Sequence, residues 1–344
     1  MEYRKLGNTD IDVSVICLGT MTYGEQNTEQ DAHEQLDFAL DNGVNFIDTA
    51  EMYAIPQRAE TQGLTEKYIG SWLAGRADRD KIVLASKVAG PGVDHVRGGS
   101  QLNRKHITEA LEGSLKRLQT DYLDLYQVHW PARNSNFFGR LGYEAQVEAE
   151  DDTILETLQV LTDLVAEGKI REIGISNESA WGTMRYLQYA ETQNLARVVS
   201  VQSPYSLLNR SYEIGMAEVS HREKAGLLAY SPLGFGMLTG KYHQGEWPAE
   251  GRVTIWKDYF TRYQNDQGMA AAGKYIELAK AHGLTPTQLA LAFVNTRPFV
   301  TANIIGATTM EQLKENIETH SITLSDELMA GIQEIHQEIS NPCP

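Results

Sequence analysis

Cysteine is nearly absent: the 344 residues contain two, Cys17 and Cys343, set near opposite ends. That spacing supports neither a disulfide framework nor a zinc knuckle, so a reducing cytoplasm is the expected setting. Proline is scarce too, at 10 residues, and no Pro-rich linker, low-complexity tract or long charge block marks a boundary between independent domains. Residues 1–344 are therefore expected to form a single domain. No apolar run approaches the roughly 18 residues of a membrane span, and the opening MEYRKLGNTD lacks the basic and apolar regions of a signal peptide. Membrane insertion and secretion are not expected. Positive charge is in deficit, with 30 Lys and Arg against 46 Asp and Glu for a net charge of −16, which disfavours nonspecific binding to nucleic acid. A phosphate-bearing ligand would need a few local cations and backbone N–H groups to overcome that field. The sequence leaves the oligomeric state open and is compatible with a homo-oligomer.

What the chain does have is alternation. Short β-branched runs at 44–48, 81–86, 122–129, 170–176, 198–202, 226–231 and 302–306, with a weaker one at 321–324, are separated by amphipathic stretches such as 107–118 and 154–165. Eight strands with helical crossovers predict a closed (β/α)8 TIM barrel. An open doubly wound sheet would carry a glycine-rich fingerprint after an early strand, and that fingerprint is missing. Ahead of these runs, residues 3–6 and 13–16 flank the turn-like Gly7-Asn8-Thr9-Asp10 and predict an N-terminal β-hairpin, about residues 1–17, closing the barrel floor.

Such barrels build their sites at the carboxyl ends of the strands. Asp48 ends the run at 44–48, Tyr53 follows in the next loop, Lys87 ends Ala-Ser-Lys, and His129 ends Gln-Val-His. An ammonium near a tyrosine favours its phenolate and tunes it as a proton donor; an aspartate can hold that ammonium; a histidine can orient a carbonyl oxygen. Asp48 and Lys87 could equally form a structural ion pair.

A proton donor with no nucleophile or metal beside it needs a partner for the other half of the reaction, and hydride from a nicotinamide is the simplest match. Ser176, Asn177 and Gln202 can bond a carboxamide, and Tyr230 offers a flat face, although an aromatic at a strand end could simply be packed. In the run from Gly306 to Asn316, Thr308 and Glu311 have capping-box spacing, predicting a helix whose free N–H groups could take phosphate. Gln312 and Asn316 lie one turn apart on one face of it, placed to reach an adenosine. It could also be just a capped surface helix. Lys241 and Arg252 are the candidate local cations.

In five segments taken in order, Phe46-Ile47-Asp48-Thr49-Ala50-Glu51-Met52-Tyr53, Ser86-Lys87, Leu123 through Pro131, Gly174-Ile175-Ser176-Asn177 and Tyr230-Ser231-Pro232-Leu233-Gly234, the chain resembles the aldo-keto reductases, over essentially its full length. Within that family it looks most like the bacterial Tas-type reductases, in Glu60 through Glu66, Tyr205 through Ser211 and Gly306 through Met310. The resemblance implies a (β/α)8 barrel, NADP(H), and reversible reduction of a small-molecule carbonyl substrate, with Tyr53 as the acid, Lys87 and Asp48 as its tuners and His129 orienting the substrate. It also implies a cofactor lining of Thr20, Met21, Ser176, Asn177, Gln202 and Tyr230, the loop Ser231, Pro232, Leu233, Gly234, Phe235 and Gly236 on to Lys241, and Gly306, Thr308, Gln312, Glu315 and Asn316. The compact Lys-Ser…Arg cluster with which many members hold the 2′-phosphate is missing, so a preference for NADP(H) rests on Lys241 and Arg252.

Two loops carry aromatics: 131–152, with Phe137, Phe138 and Tyr143, which could be a substrate lid or a surface excursion, and Trp256, Tyr259, Phe260 and Tyr263 with basic Lys257 and Arg262. Aromatic walls favour an apolar or aromatic carbonyl compound over a small charged acid. Two other readings stand beside the reductase. One is a regulatory subunit like the potassium-channel β subunits of the family, and the other is a metal-dependent hydrolase using Asp48 and His129, for which no further ligand motif is present.

Overall fold

A computed structural model describes residues 1–144 and 153–344. In chain order its strands are β1 (Tyr3–Lys5), β2 (Asp12–Ser14), β3 (Ile16–Gly19), β4 (Phe46–Asp48), β5 (Val83–Val88), β6 (Leu123–Val128), β7 (Ile170–Ser176), β8 (Val198–Pro204), β9 (Gly226–Tyr230) and β10 (Val300–Ile305). The α-helices are α1 (Glu29–Asp41), α2 (Leu64–Ala74), α3 (Arg104–Leu118), α4 (Thr153–Ala166), α5 (Ala180–Thr192), α6 (Met216–Glu223), α7 (Arg252–Ile255), α8 (Asp266–Ala281), α9 (Pro286–Asn295), α10 (Met310–Glu318) and α11 (Asp326–Glu338). Strands β3 to β10 form a closed parallel barrel, and β1 pairs with β2 as a separate antiparallel hairpin. The chain is a (β/α)8 TIM barrel.

Side-chain parity explains how one strand serves both layers. Phe46, Val83, Ala85 and Leu125 point into the barrel and pack together, while their neighbours Ile47, Leu84 and Tyr126 join the larger core between strands and helices. The hairpin closes the floor, because Leu6, Ile11 and Val13 pack into the inner cluster from below. Gly7 makes that approach possible: its φ is +64°, and a Cβ there would lie 2.8 Å from Val199. Helix starts follow local chemistry. Thr28 and Thr285 make reciprocal capping boxes for α1 and α9, and Asn103 and Ser179 cap α3 and α5.

The membership of the barrel differs from the sequence reading at both ends. Its first strand is Ile16–Gly19, separated by one residue from the hairpin arm Asp12–Ser14, so a β-branched stretch read as one arm is divided between two sheets. Residues 321–324 form no strand. The barrel closes through β10 on β3, leaving no edge for another strand to pair with, and this stretch instead links α10 to α11 outside the barrel. Asp48 thus ends the second barrel strand rather than the first. Among the described residues no helix is long and apolar enough to cross a membrane.

Candidate active site

Above the inner hydrophobic cluster, the next inward positions are polar: Asp48 on β4, Lys87 on β5, Gln127 on β6 and Gln202 on β8 are all buried. Lys87 Nζ donates to Asp48 Oδ2 at 2.6 Å and to the Thr49 carbonyl at 2.8 Å, and lies 3.4 Å from the Tyr53 hydroxyl. Asp48 Oδ1 accepts from Gln127 Nε2 at 3.0 Å and Gln202 Nε2 at 2.8 Å, so both carboxylate oxygens are engaged. His129 follows β6, its backbone N–H donating to the Val88 carbonyl at 3.0 Å, and its ring meets Tyr53 edge-on with centroids 5.7 Å apart. The four residues, drawn from three successive strand ends and the loop after the first of them, therefore meet in one cluster, with Asp48, Tyr53 and His129 lining its pocket and Lys87 buried behind them.

Electrostatics divide their roles. Burial would drive the Lys87 ammonium down, but Asp48 and Tyr53 beside it outweigh burial and raise its pKa, so it stays charged. Burial raises the Tyr53 phenol; Lys87 pulls it back down without cancelling the rise. The ammonium that the sequence placed beside Tyr53 is there, but desolvation is the larger effect, and Tyr53 is a neutral phenol with a proton to give. Burial, then the charge on Lys87, hold His129 well below its ordinary value, so its imidazole is neutral. Its Nδ1 is buried without a hydrogen-bond partner.

From this cluster opens a cleft of about 1040 Å³. Met52, Trp130, Phe137 and Phe138 line it near Tyr53 and His129, so the described part of the loop at 131–152 reaches the mouth; residues 145–152 lie outside the described residues. Of the expected cofactor residues, Thr20, Met21, Ser176, Asn177, Gln202, Tyr230, Ser231, Pro232, Leu233, Phe235, Gly236, Lys241, Arg252, Gly306, Thr308, Gln312, Glu315 and Asn316 all line it. Gly234 does not. It is buried behind the wall, where a Cβ would lie 3.2 Å from both Leu208 and Tyr263.

Several linings are tied to each other. Tyr230 donates its hydroxyl to Asn177 Oδ1 at 2.7 Å, and Asn177 Nδ2 donates to the His129 carbonyl at 2.9 Å. Asn177, Ser231 and Phe235 hold φ values of 55°, 54° and 55°, a left-handed backbone uncommon for non-glycine residues and clustered here at the cleft wall. The helix α10 begins one residue later than its sequence suggested. Thr309, not Thr308, is the cap, accepting from the Gln312 N–H, while the Thr308 hydroxyl donates to Gln312 Oε1.

Lys241 and Arg252 both face the cleft, and neither pairs with a carboxylate among the described residues. Burial, then Arg252, lower the Lys241 pKa, and burial lowers Arg252 to about 10. Two desolvated cations with no counter-ion among the described residues are the setting an anionic group such as a phosphate would complete. The cleft therefore fits a dinucleotide phosphate on the chemistry of its own side chains.

The model of the "Aldo/keto reductase family" matches residues 15–337. The chain belongs to the aldo/keto reductase family. It is 53% identical to "Protein tas" of Escherichia coli (strain K12), with 100% of both chains covered. It is 36% identical to "Uncharacterized oxidoreductase YrpG" of Bacillus subtilis (strain 168), covering 97% of this chain and 96% of that one. It is 29% identical to "Norsolorinic acid reductase B" of Dothistroma septosporum, covering 97% and 81%. As an aldo/keto reductase the protein is an oxidoreductase, of a family that generally uses NAD(P)H.

Two contributors escaped the sequence reading. Gln127 sits two residues before His129 on β6, so strand parity alone turns it inward toward Asp48. Glu51, buried two residues before Tyr53, accepts from the Ala89 N–H at 2.7 Å and pairs with Arg97, pinning the loop whose residues 91–93 line the cleft. No spacing rule identifies it, because its partners are 38 and 46 residues away.

Proposed function

We propose that the protein reduces an aldehyde or ketone to the alcohol with NADPH, with Tyr53 as the proton donor. The observation that carries this reading is the contact chain Asp48, Lys87, Tyr53, in which a buried neutral phenol sits against a fixed ammonium. When bound, NADPH supplies the hydride that reaches the carbonyl carbon. Tyr53 gives its phenolic proton to the carbonyl oxygen, so C=O becomes H–C–O–H, and solvent later restores the proton. Lys87, held by Asp48 and the Thr49 carbonyl, stabilises the phenolate left on Tyr53. His129, neutral, directs a ring N–H at the same oxygen and aligns the carbonyl.

The cleft residues take complementary parts. Ser176 and Asn177 offer hydrogen bonds to a carboxamide and Tyr230 a flat face, while the left-handed backbone at Ser231 and Phe235 shapes the wall that follows. Lys241 and Arg252 favour a 2′-phosphate and hence NADP(H) over NAD(H). Gln312 and Asn316 project from α10 toward an adenosine.

Tyr53→Phe tests the proton donor. General acid catalysis of this kind is worth about 10²–10⁴-fold, so turnover should fall by that factor while NADPH binding, read by quenching of protein fluorescence, is retained. Near-normal turnover in this variant would remove Tyr53 from the role.

A further inference from the structure

Arg262 is a cation that the proposed chemistry does not use. It lies in the segment between α7 and α8 and lines the same cleft as Tyr53 and His129. Its Nη1 is buried without a hydrogen-bond partner, and the guanidinium forms no ion pair with a carboxylate among the described residues. The surroundings form a socket. Its charge acts on the half-buried Tyr230, whose phenol bonds Asn177, which in turn bonds the His129 carbonyl. On the other side Gly139, at φ +83°, comes so close that a Cβ there would lie 3.1 Å from Arg262 Nε. Aromatic side chains, Trp130, Phe137 and Phe138, wall the same end of the cleft, and Phe138 meets Trp130 edge-on at 5.8 Å.

A buried guanidinium donor left unpaired is costly, and a carboxylate is its natural complement because it accepts two parallel N–H bonds. On a chain of net charge −16 a local cation is what an anionic substrate would require. We infer that Arg262 receives a carboxylate of the substrate, so that the carbonyl compounds reduced best are aromatic acids bearing an aldehyde or ketone. This narrows the preference read from the aromatic walls: the ring meets the walls and the acid meets Arg262. The inference rests on the reductase reading.

The test compares the 2-, 3- and 4-carboxybenzaldehydes with their methyl esters, which keep the ring and aldehyde but lose the charge. For at least one isomer the wild type should show kcat/KM about 10- to 100-fold higher for the acid than for the ester. Arg262→Met should bring that ratio near one, and Arg262→Lys should restore part of it. Equal rates for acid and ester in the wild type, or a ratio that survives Arg262→Met, would overturn the inference. A loss in Arg262→Met confined to NADPH affinity would do the same by assigning the guanidinium to the cofactor. If neither acids nor esters are reduced, the reductase reading fails, and Arg262 is then judged by calorimetry on NADPH-loaded protein. Benzoate should bind at least tenfold more tightly than benzamide, and equal binding refutes the carboxylate site.

Discussion

At the scale of the residue, the account turns on a buried charge and the group it serves. Lys87 is fully buried and Asp48 nearly so, and their 2.6 Å contact helps keep the Lys87 ammonium charged against its burial. Lys87→Met should cost about 3–5 kcal/mol in a denaturant titration because it strands the Asp48 carboxylate, while Lys87→Met with Asp48→Asn should recover part of that loss. A single variant as stable as the wild type would mean that the pair is not coupled as its geometry indicates. These residues were legible in the sequence because each is a polar side chain ending an apolar run, where a barrel opens its site. Gln127 was not: parity with His129 turns it inward, but the carboxylate it meets emerges only once the strands across the barrel are in place. The balance at Tyr53 was also hidden: the opposing ammonium could be inferred from chain order, but the degree of burial that outweighs it emerges only from the closed barrel.

At the scale of the element, alternating strands and amphipathic helices were readable from periodicity, and the error fell where periodicity is shortest. Three- and four-residue strands β2 and β3 adjoin, and only pairing partners tell the hairpin arm from the barrel strand. Helix contacts are equally invisible in a linear pattern. Gly70 on α2 packs against the end of α3 so tightly that a Cβ would lie 2.0 Å from the Arg117 carbonyl oxygen. Gly70→Ala should therefore destabilise the protein by at least about 1–3 kcal/mol in spite of alanine's better helix propensity. A thermal midpoint at or above that of the wild type would show that α2 and α3 can separate at little cost. The cap of α10 gives a smaller effect: Thr309→Ala should cost about 1 kcal/mol and Thr308→Ala less, the reverse of what the sequence spacing suggested.

At the scale of the whole molecule, burial of titratable groups ties stability to pH. The folded protein holds His129 neutral well below the pH at which the unfolded chain protonates it. The unfolded state therefore binds more protons below about pH 6.5, and stability falls with decreasing pH, by up to about 1.4 kcal/mol per unit for this group, until the folded value is reached. His129→Asn should flatten that part of the profile, and an unchanged slope would locate the acid sensitivity elsewhere. The same neutral imidazole and raised phenol predict kcat for reduction with no step near pH 6.5, whereas an inflection there would mean that His129 titrates as an ordinary histidine.

Repeated carbonyl reduction in the cleft is the activity proposed for the protein. Its most direct test mixes catalytic amounts of protein with NADPH and a panel of aromatic and aliphatic aldehydes and follows NADPH consumption over many turnovers. A reductase should oxidise NADPH steadily, far beyond one equivalent per chain, with alcohol formed in equal amount. A burst that stops at one equivalent, with the nucleotide still bound, would contradict it and turn the protein into a cofactor-holding regulatory subunit.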